Sequence, residues 1–333
     1  MDPANRPLLA LTAGDPAGIG PEIVLAALRD PRVRSVSRLA VIGPRSLRPA
    51  DVPLVTPEAL GERSDAVWLD SAAGAEEEPW VLGRPQASGG RAALRALRLG
   101  AELARSGAVD GLVTAPVSKE ALHLAGERVE GQTQLLGRWA GTEDVEMLAV
   151  VRRLRVLLLT RHLPLRDAIA SIEPGRVLER LRLFDEGLRW LGVERPRIAL
   201  AGLNPHAGEN GILGSEENEL LAPAVAAARD EGLVVAGPES PDTVFLHGLQ
   251  GRYDGVLALY HDQAFLPVKI AAPGEALTVL LGLPYLRVSP AHGTAFDIAG
   301  TGRADPGSLI HALCEAARLA GAVRYPSASA PPA

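Results

Sequence analysis

Two spacings of apolar residues divide the chain. Short apolar runs at residues 8–11, 39–42, 109–114, 147–151, 156–160, 198–201 and 233–236 are bounded by polar, Gly or Pro positions, the length and setting of buried β-strands. Between them, 91–105, 175–191 and 216–230 carry apolar residues at helical spacing, with Ala and Leu alternating with Arg over 91–105. A further helix is predicted to start at Pro21, after the turn Gly14-Asp15-Pro16-Ala17-Gly18-Ile19-Gly20, because proline suits a first helical position. Strands alternating with helices of this length predict an α/β fold with a parallel or mixed sheet flanked by helices. The apolar stretch 277–286 is far shorter than the ~20 residues that span a bilayer, and no internal repeat or heptad run interrupts the pattern.

A length of 333 residues is long for one hydrophobic core and points to two domains or one large α/β unit. A hydrophobic content of 47% with 22% charged residues is that of a soluble globular protein. The net charge of −6 argues against a nucleic-acid or anionic-membrane partner, so an anionic substrate would need a local basic cluster. The single Cys314 excludes an intrachain disulfide and a Cys-rich metal site and suits a cytoplasmic protein. Residues 1–7 lack the basic-then-apolar layout of a signal peptide. The segment 72–80 reads as an acidic, alanine-rich loop, and the tail 325–333, rich in Pro, Ser and Ala, is expected to fray.

Three histidines follow apolar runs in the same way. His162 stands in Arg161-His162-Leu163-Pro164 after 156–160, and His206 in Asn204-Pro205-His206-Ala207-Gly208-Glu209 after 198–200. His261 stands in Tyr260-His261-Asp262-Gln263 after 256–259. Read as polar loops at the C-terminal ends of parallel strands, they converge on one crevice. Neutral imidazoles there can hold a divalent cation and leave a position open for substrate. A lone histidine of this kind more often serves a loop hydrogen bond. Three in equivalent settings favour a shared site, although their wide spacing is no local zinc signature.

Lysine usage adds a second signal. Of the 34 basic residues only Lys119 and Lys269 are lysines, which marks both as candidates for a compact ammonium that arginine cannot replace. Both stand in motif-like loops, Ala115-Pro116-Val117-Ser118-Lys119 and Leu266-Pro267-Val268-Lys269. The turn 14–20 is a convincing strand–turn–helix joint but a weak phosphate cradle, having no Lys-Ser/Thr after its last glycine and no third dinucleotide glycine. The densest stretch is Gly282-Leu283-Pro284-Tyr285-Leu286-Arg287 followed by His292-Gly293-Thr294-Ala295-Phe296-Asp297-Ile298-Ala299-Gly300-Thr301-Gly302. A tight loop explains its glycines, but not His292, Thr294 and Asp297 together.

That last segment resembles the cofactor loop of the isocitrate/isopropylmalate dehydrogenase superfamily, which binds a nicotinamide dinucleotide without a Rossmann fingerprint. Within that superfamily the chain resembles the 4-hydroxythreonine-4-phosphate dehydrogenase family of vitamin B6 biosynthesis. The matching motifs are the turn 14–22, Pro116-Val117-Ser118-Lys119, the three histidine segments, Lys269 and 282–302, in that order along nearly the whole chain. The resemblance implies a homodimer of two-domain α/β/α subunits with the active site in the interdomain cleft near the subunit interface. It implies one domain from 1–125 and 280–330 with the cofactor loop, and a central domain 126–279 with the metal histidines and dimer contacts. By motif, the metal ligands are His162, His206 and His261, and the cation is Zn, Mg or Co. NAD or NADP falls to His292, Gly293, Thr294 and Asp297. The substrate falls to Gln132, Thr133, Lys269, Thr278 and Arg287, with Asp262 and Lys269 as catalytic groups. Asp242 is a second candidate carboxylate beside the metal.

A cation held by neutral imidazoles lowers the pKa of a bound secondary alcohol, and the nicotinamide takes the hydride. Lys269 and Arg287 supply the cationic pocket that a phosphorylated substrate needs in an acidic chain. The implied reaction is oxidation with decarboxylation of 4-phosphooxy-L-threonine to 3-amino-2-oxopropyl phosphate. Two positions depart from the family pattern. Gln132 in Gly131-Gln132-Thr133-Gln134 stands where the family has a histidine, and Thr278 where it has an asparagine; glutamine hydrogen-bonds but does not titrate near neutrality. Both changes touch substrate contacts. A sister activity on 4-phospho-D-threonate or -erythronate, or on a carboxylated cis-diol, therefore stays open, as do a metal-dependent hydrolase using Asp262 as base and a non-catalytic metabolite-binding protein.

Overall fold

The computed structural model describes residues 6–60, 64–72, 76–142 and 144–323. The tail 325–333, most of the extreme N-terminus and part of the acidic loop 72–80 lie outside the described residues. The chain forms two compact units, one from the described parts of Met1–Val145 and Leu283–Ala322, the other from Glu146–Gly282. Among the described residues no helix is long and apolar enough to cross a membrane.

The first unit runs β1 (Leu8–Thr12), α1 (Gly20–Arg29), α2 (Pro31–Val36), β2 (Arg38–Gly43), β3 (Leu54–Val55), β4 (Ala66–Asp70), α3 (Ala87–Arg105), β5 (Gly111–Thr114), α4 (Lys119–Leu124) and α5 (Gln132–Ala140). The second runs β6 (Glu146–Val151), β7 (Leu154–Leu158), α6 (Leu165–Ala170), α7 (Pro174–Trp190), β8 (Arg197–Ala201), α8 (Ala222–Asp230), β9 (Val234–Glu239), α9 (Val244–Leu249), β10 (Gly255–Ala258), α10 (His261–Ala271) and β11 (Leu277–Leu281). The chain then returns to the first unit with β12 (Arg287–Pro290) and α11 (Gly307–Ala320).

In the first unit the strand order β3-β4-β2-β1-β5-β12 is parallel throughout. Helices α3 and α11 pack on it, which explains why every residue of β1 and β5 is buried. Parallel strands covered on their faces read as continuous apolar runs rather than as alternation. In the second unit the order is β11-β6-β7-β10-β8-β9. There β7, β10, β8 and β9 are parallel, while β6 pairs antiparallel with both β7 and β11. The expected α/β architecture with a mixed sheet is thus observed. Its core holds Val151, Leu154, Val156, Leu158, Phe245 and Val268.

Several boundaries differ from expectation for identifiable reasons. The strand expected at 156–160 begins at Leu154, because the turn from β6 is a two-residue hairpin loop with Arg152 at φ 52°. The helix expected over 216–230 opens with a π-turn, Glu217–Leu221, before α8. The central segment begins at Glu146 rather than at 126; α5 belongs with the first unit, where Gln132 bonds Ala115 and Arg287.

Candidate active site

Strand order gathers the histidine segments. β7, β10 and β8 are adjacent and parallel, so the segments after their C-terminal ends emerge on one edge of the sheet. Buried side chains fix their register. Thr160 Oγ1 donates to the Leu259 carbonyl at 2.7 Å, tying the His162 segment to the end of β10. Gln263 Oε1 accepts from the Leu259 N–H at 2.7 Å, and its Nε2 donates to the Gly202 carbonyl at 2.7 Å, tying β10 to the His206 segment.

The three histidines differ in how they are held. His261 is not in a loop but opens α10, and Lys269, also expected in a loop, lies in the last turn of that helix. Pro267 reads as a helix stop in the sequence, yet α10 continues through it. The His261 Nδ1 pairs with Asp262 Oδ1 at 2.8 Å, which leaves Nε2 as the ring nitrogen that could ligate a cation, an arrangement common at metal-bound histidines. The His162 and His261 ring centroids are 5.6 Å apart. Two imidazoles sharing a cation at about 2.0–2.1 Å from each nitrogen can adopt that spacing. His206 is exposed on a turn whose residues His206, Ala207, Gly208, Glu209 and Asn210 all have left-handed φ, between 45° and 75°. Such a run costs roughly 1–2 kcal/mol per non-glycine residue and persists only where its surroundings enforce it. Among the described residues no three His, Cys, Asp or Glu side chains are grouped to hold a metal: the structure pairs His162 with His261 and leaves His206 outside that pair. Asp242 is exposed; the Ser240 hydroxyl, donating at 2.6 Å, holds its carboxyl below the usual range, with the His206 imidazole contributing.

In the first unit β1, β5 and β12 are neighbours and parallel, so the turn 14–20, the segment 115–119 and the loop 291–304 likewise share a sheet edge. Arg287 was expected in a loop and is instead the first residue of β12, 4% exposed. Its Nη2 donates to Thr114 Oγ1 at 2.7 Å and to Gln132 Oε1 at 3.3 Å. Its Nε is buried without a partner, and no carboxylate pairs with it among the described residues. Burial pushes its pKa down to about 10, so it stays cationic at neutral pH. An unpaired buried charge costs several kcal/mol, and a ligand anion removes that cost. Gln132, at the start of α5, is fixed by chemistry: the guanidinium can only donate, so it takes Oε1, and the Ala115 carbonyl can only accept, so it takes Nε2 at 3.2 Å. Thr133 and Thr278 are half-buried and buried, in α5 and β11. Lys119 opens α4 and is exposed.

The loop 291–304 rests on the turn 14–20. The Ile19 N–H donates to the Thr294 carbonyl at 3.0 Å, and a Cβ at Gly18 would lie 2.8 Å from that oxygen, so only glycine fits. The turn is therefore a seat for this loop. The Glu22 carboxylate accepts from the Gly300 N–H at 3.2 Å and the Ala304 N–H at 3.3 Å. His292, Gly293 and Asp297 are exposed on the loop, and His292 Nδ1 lies 3.1 Å from the Gly293 carbonyl. Beneath the turn, Asp15 is fully buried with Oδ2 unpartnered. Burial pushes its carboxyl up to about 6, against the Ala17 and Ser118 N–H bonds that lower it.

Sequence reasoning missed Thr160, Gln263, Glu22 and Asp15 as site residues. Gln263, Asp15 and Glu22 lie inside the motifs that identified the site, so a signal existed. Thr160 and Glu22 bond backbone groups of segments distant in sequence, and those partners no local pattern reveals.

Comparison with known proteins matches residues 45–316 to the model of a family described as pyridoxal phosphate biosynthetic protein PdxA. A 4-hydroxythreonine-4-phosphate dehydrogenase from Geobacter metallireducens is 41% identical over 96% of this chain and 97% of its own. A D-threonate 4-phosphate dehydrogenase from Pectobacterium atrosepticum is 38% identical over 94% of this chain and 99% of its own. The crystal structure of a 4-hydroxythreonine-4-phosphate dehydrogenase from Klebsiella pneumoniae superposes with a TM-score of 0.85 at 39% identity, covering 94% of this chain and 99% of the other.

Proposed function

The chain belongs to the PdxA family of pyridoxal phosphate biosynthetic proteins and is an oxidoreductase of the dehydrogenase type; we propose that it carries out the metal-dependent, NAD(P)-linked oxidation and decarboxylation of 4-phosphooxy-L-threonine to 3-amino-2-oxopropyl phosphate. The observation that carries this reading is Arg287, a buried guanidinium with an unpartnered Nε and no carboxylate beside it. It is an anion receptor waiting for a phosphate or carboxylate. Lys269 joins it in binding the substrate, and Gln132, Thr133 and Thr278 orient it. The ligand set for a divalent cation (Zn, Mg or Co) is His162, His206 and His261, supported by the His162–His261 spacing and the Asp262 carboxylate on His261. His292, Gly293, Thr294 and Asp297 hold NAD or NADP. When bound, the cation polarises the substrate alcohol and the nicotinamide accepts its hydride. Asp262 orients the His261 ring and takes up the proton released, while Glu22 and Ile19 hold the cofactor loop in place.

The active enzyme is proposed to be a cytoplasmic homodimer with its site near the subunit interface. Each histidine is followed by exposed apolar side chains, Leu163 and Leu165 after His162, Ile212 after His206, and Leu266 and Ile270 after His261. A second copy covering them would remove that apolar area from water.

The geometry of Gln132 favours a second substrate, 4-phospho-D-threonate. With Oε1 facing Arg287 and one amide hydrogen on Ala115, the group left for a ligand is an N–H donor. A donor suits a 2-hydroxyl oxygen better than a 2-ammonium. A panel of phosphorylated 2-amino-3-hydroxy and 2,3-dihydroxy acids, followed by NAD(P) reduction, decides between them. Turnover of neither class would remove the dehydrogenase assignment for this site.

A further inference from the structure

The left-handed turn carrying His206 needs an enforcing contact, and one buried carboxylate supplies most of it. Glu217 is 2% exposed. Its Oε1 accepts from the Leu203 N–H at 2.8 Å and the Asn204 N–H at 2.7 Å, the two backbone groups that lead into the turn. Its Oε2 accepts from Asn204 Nδ2 at 2.9 Å. Gly208, in the middle of the turn at φ 75°, passes directly over the carboxylate: a Cβ there would lie 2.7 Å from Oε2. No basic side chain pairs with Glu217 among the described residues, so its bonds all go to this segment. Glu217 also opens the π-turn Glu217–Leu221 that replaces the regular start of the next helix. Single-turn π segments of this kind are frequent at functional sites.

We infer that Glu217 is the positioning residue for His206: its carboxylate gathers the entry of the left-handed turn and so fixes where the imidazole is presented to a divalent cation. This rests on the proposed role of His206 as a metal ligand. Glu217 itself touches neither cation nor substrate. The carboxylate does for a ligand's backbone what hydrogen-bonded partners do for a ligand's ring, and loss of such a partner typically costs 10–100-fold in metal affinity.

The test is Co2+ binding to the chelator-stripped full-length protein, read by titration calorimetry and by the visible absorption of the bound ion. Glu217→Gln keeps an oxygen for the two backbone N–H groups and is expected to weaken Co2+ by about tenfold. Glu217→Ala removes all three bonds and is expected to weaken it by about a hundredfold, with a changed absorption band. Gly208→Ala leaves Glu217 in place but crowds its Oε2, and should fall between; together with Glu217→Gln it decides the matter if the alanine variant does not fold. Affinity within twofold of the parent and an unchanged spectrum in the folded variants, with His206→Ala clearly weaker, would overturn the role of Glu217 alone. A parent protein that binds no Co2+, or binds it as well after His206→Ala, would overturn the metal assignment and this inference with it.

Discussion

Arg287 in the first unit and His206 in the second are held in opposite ways. Arg287 is buried on a strand between Thr114 and Gln132, its charge uncompensated by any described carboxylate. His206 is exposed on a strained turn, held from below by its backbone. His206 follows the C-terminal end of β8, one of three adjacent parallel strands, whereas Arg287 is the first residue of β12, itself one of three adjacent parallel strands. The difference lies in where the cost is placed. Arg287, the proposed anion receptor, carries an electrostatic cost that a bound anion would remove, whereas His206, the proposed cation ligand, carries a conformational cost that the scaffold meets. Substitutions in the two regions should accordingly have different signatures.

The largest effect is expected in the second unit. His206→Ala should reduce metal-dependent turnover to background while circular dichroism and the melting temperature stay near those of the parent; turnover near the parent level would remove His206 from the ligand set. In the first unit, Asp15 makes the buried-charge side of the comparison titratable. Its folded pKa of about 6 lies above the ordinary 3.8, so the folded state binds the proton more tightly. The carboxyl therefore costs nothing below about pH 4, and stability falls as the pH rises from about 4 to about 6. The full penalty is about 3 kcal/mol on the order of magnitude. Urea unfolding of Asp15→Asn against the parent should show a gain that appears over this window and is level above it; a pH-independent difference would contradict it.

Arg287→Met isolates the anion receptor. Losing a charged hydrogen-bonding partner should raise the KM for the phosphorylated substrate by about tenfold to a hundredfold. The melting temperature should hold or rise, because an unpaired buried charge is removed. A lower melting temperature with unchanged KM would make Arg287 structural. Lys269→Arg is the smallest change, because the charge is retained. Binding should weaken a few-fold if a compact ammonium is required, and identical kinetics would mean that the lysine is replaceable.

The parts of this arrangement legible in the sequence are those set by period and order. Apolar runs located β1, β2, β5, β6 and β8, and the histidines at strand ends anticipated segments on one sheet edge. What local pattern could not supply was direction and partner. His261 read as a polar loop after a strand and Lys269 as part of a motif-like loop, whereas packing on β6, β7 and β10 forms α10 through both and past Pro267. Arg287 read as a loop cation because its strand is short and follows Gly282 and Pro284. Glu217 sits in a run of glutamates that reads as a solvated helix start, and only the fold brings the Leu203 and Asn204 N–H groups onto it. The metal triad itself was inferred from motif order; the geometry pairs two of its members and leaves the third on the strained turn.

Chelation is the most direct measurement of the central claim. NAD(P) reduction would be followed with 4-phosphooxy-L-threonine or 4-phospho-D-threonate before EDTA treatment, after it, and after a divalent cation is restored. The account predicts turnover of at least one of the two substrates, its loss on chelation and its recovery with the cation. Turnover indifferent to chelation, or no NAD(P)H from either substrate with cation present, would contradict it.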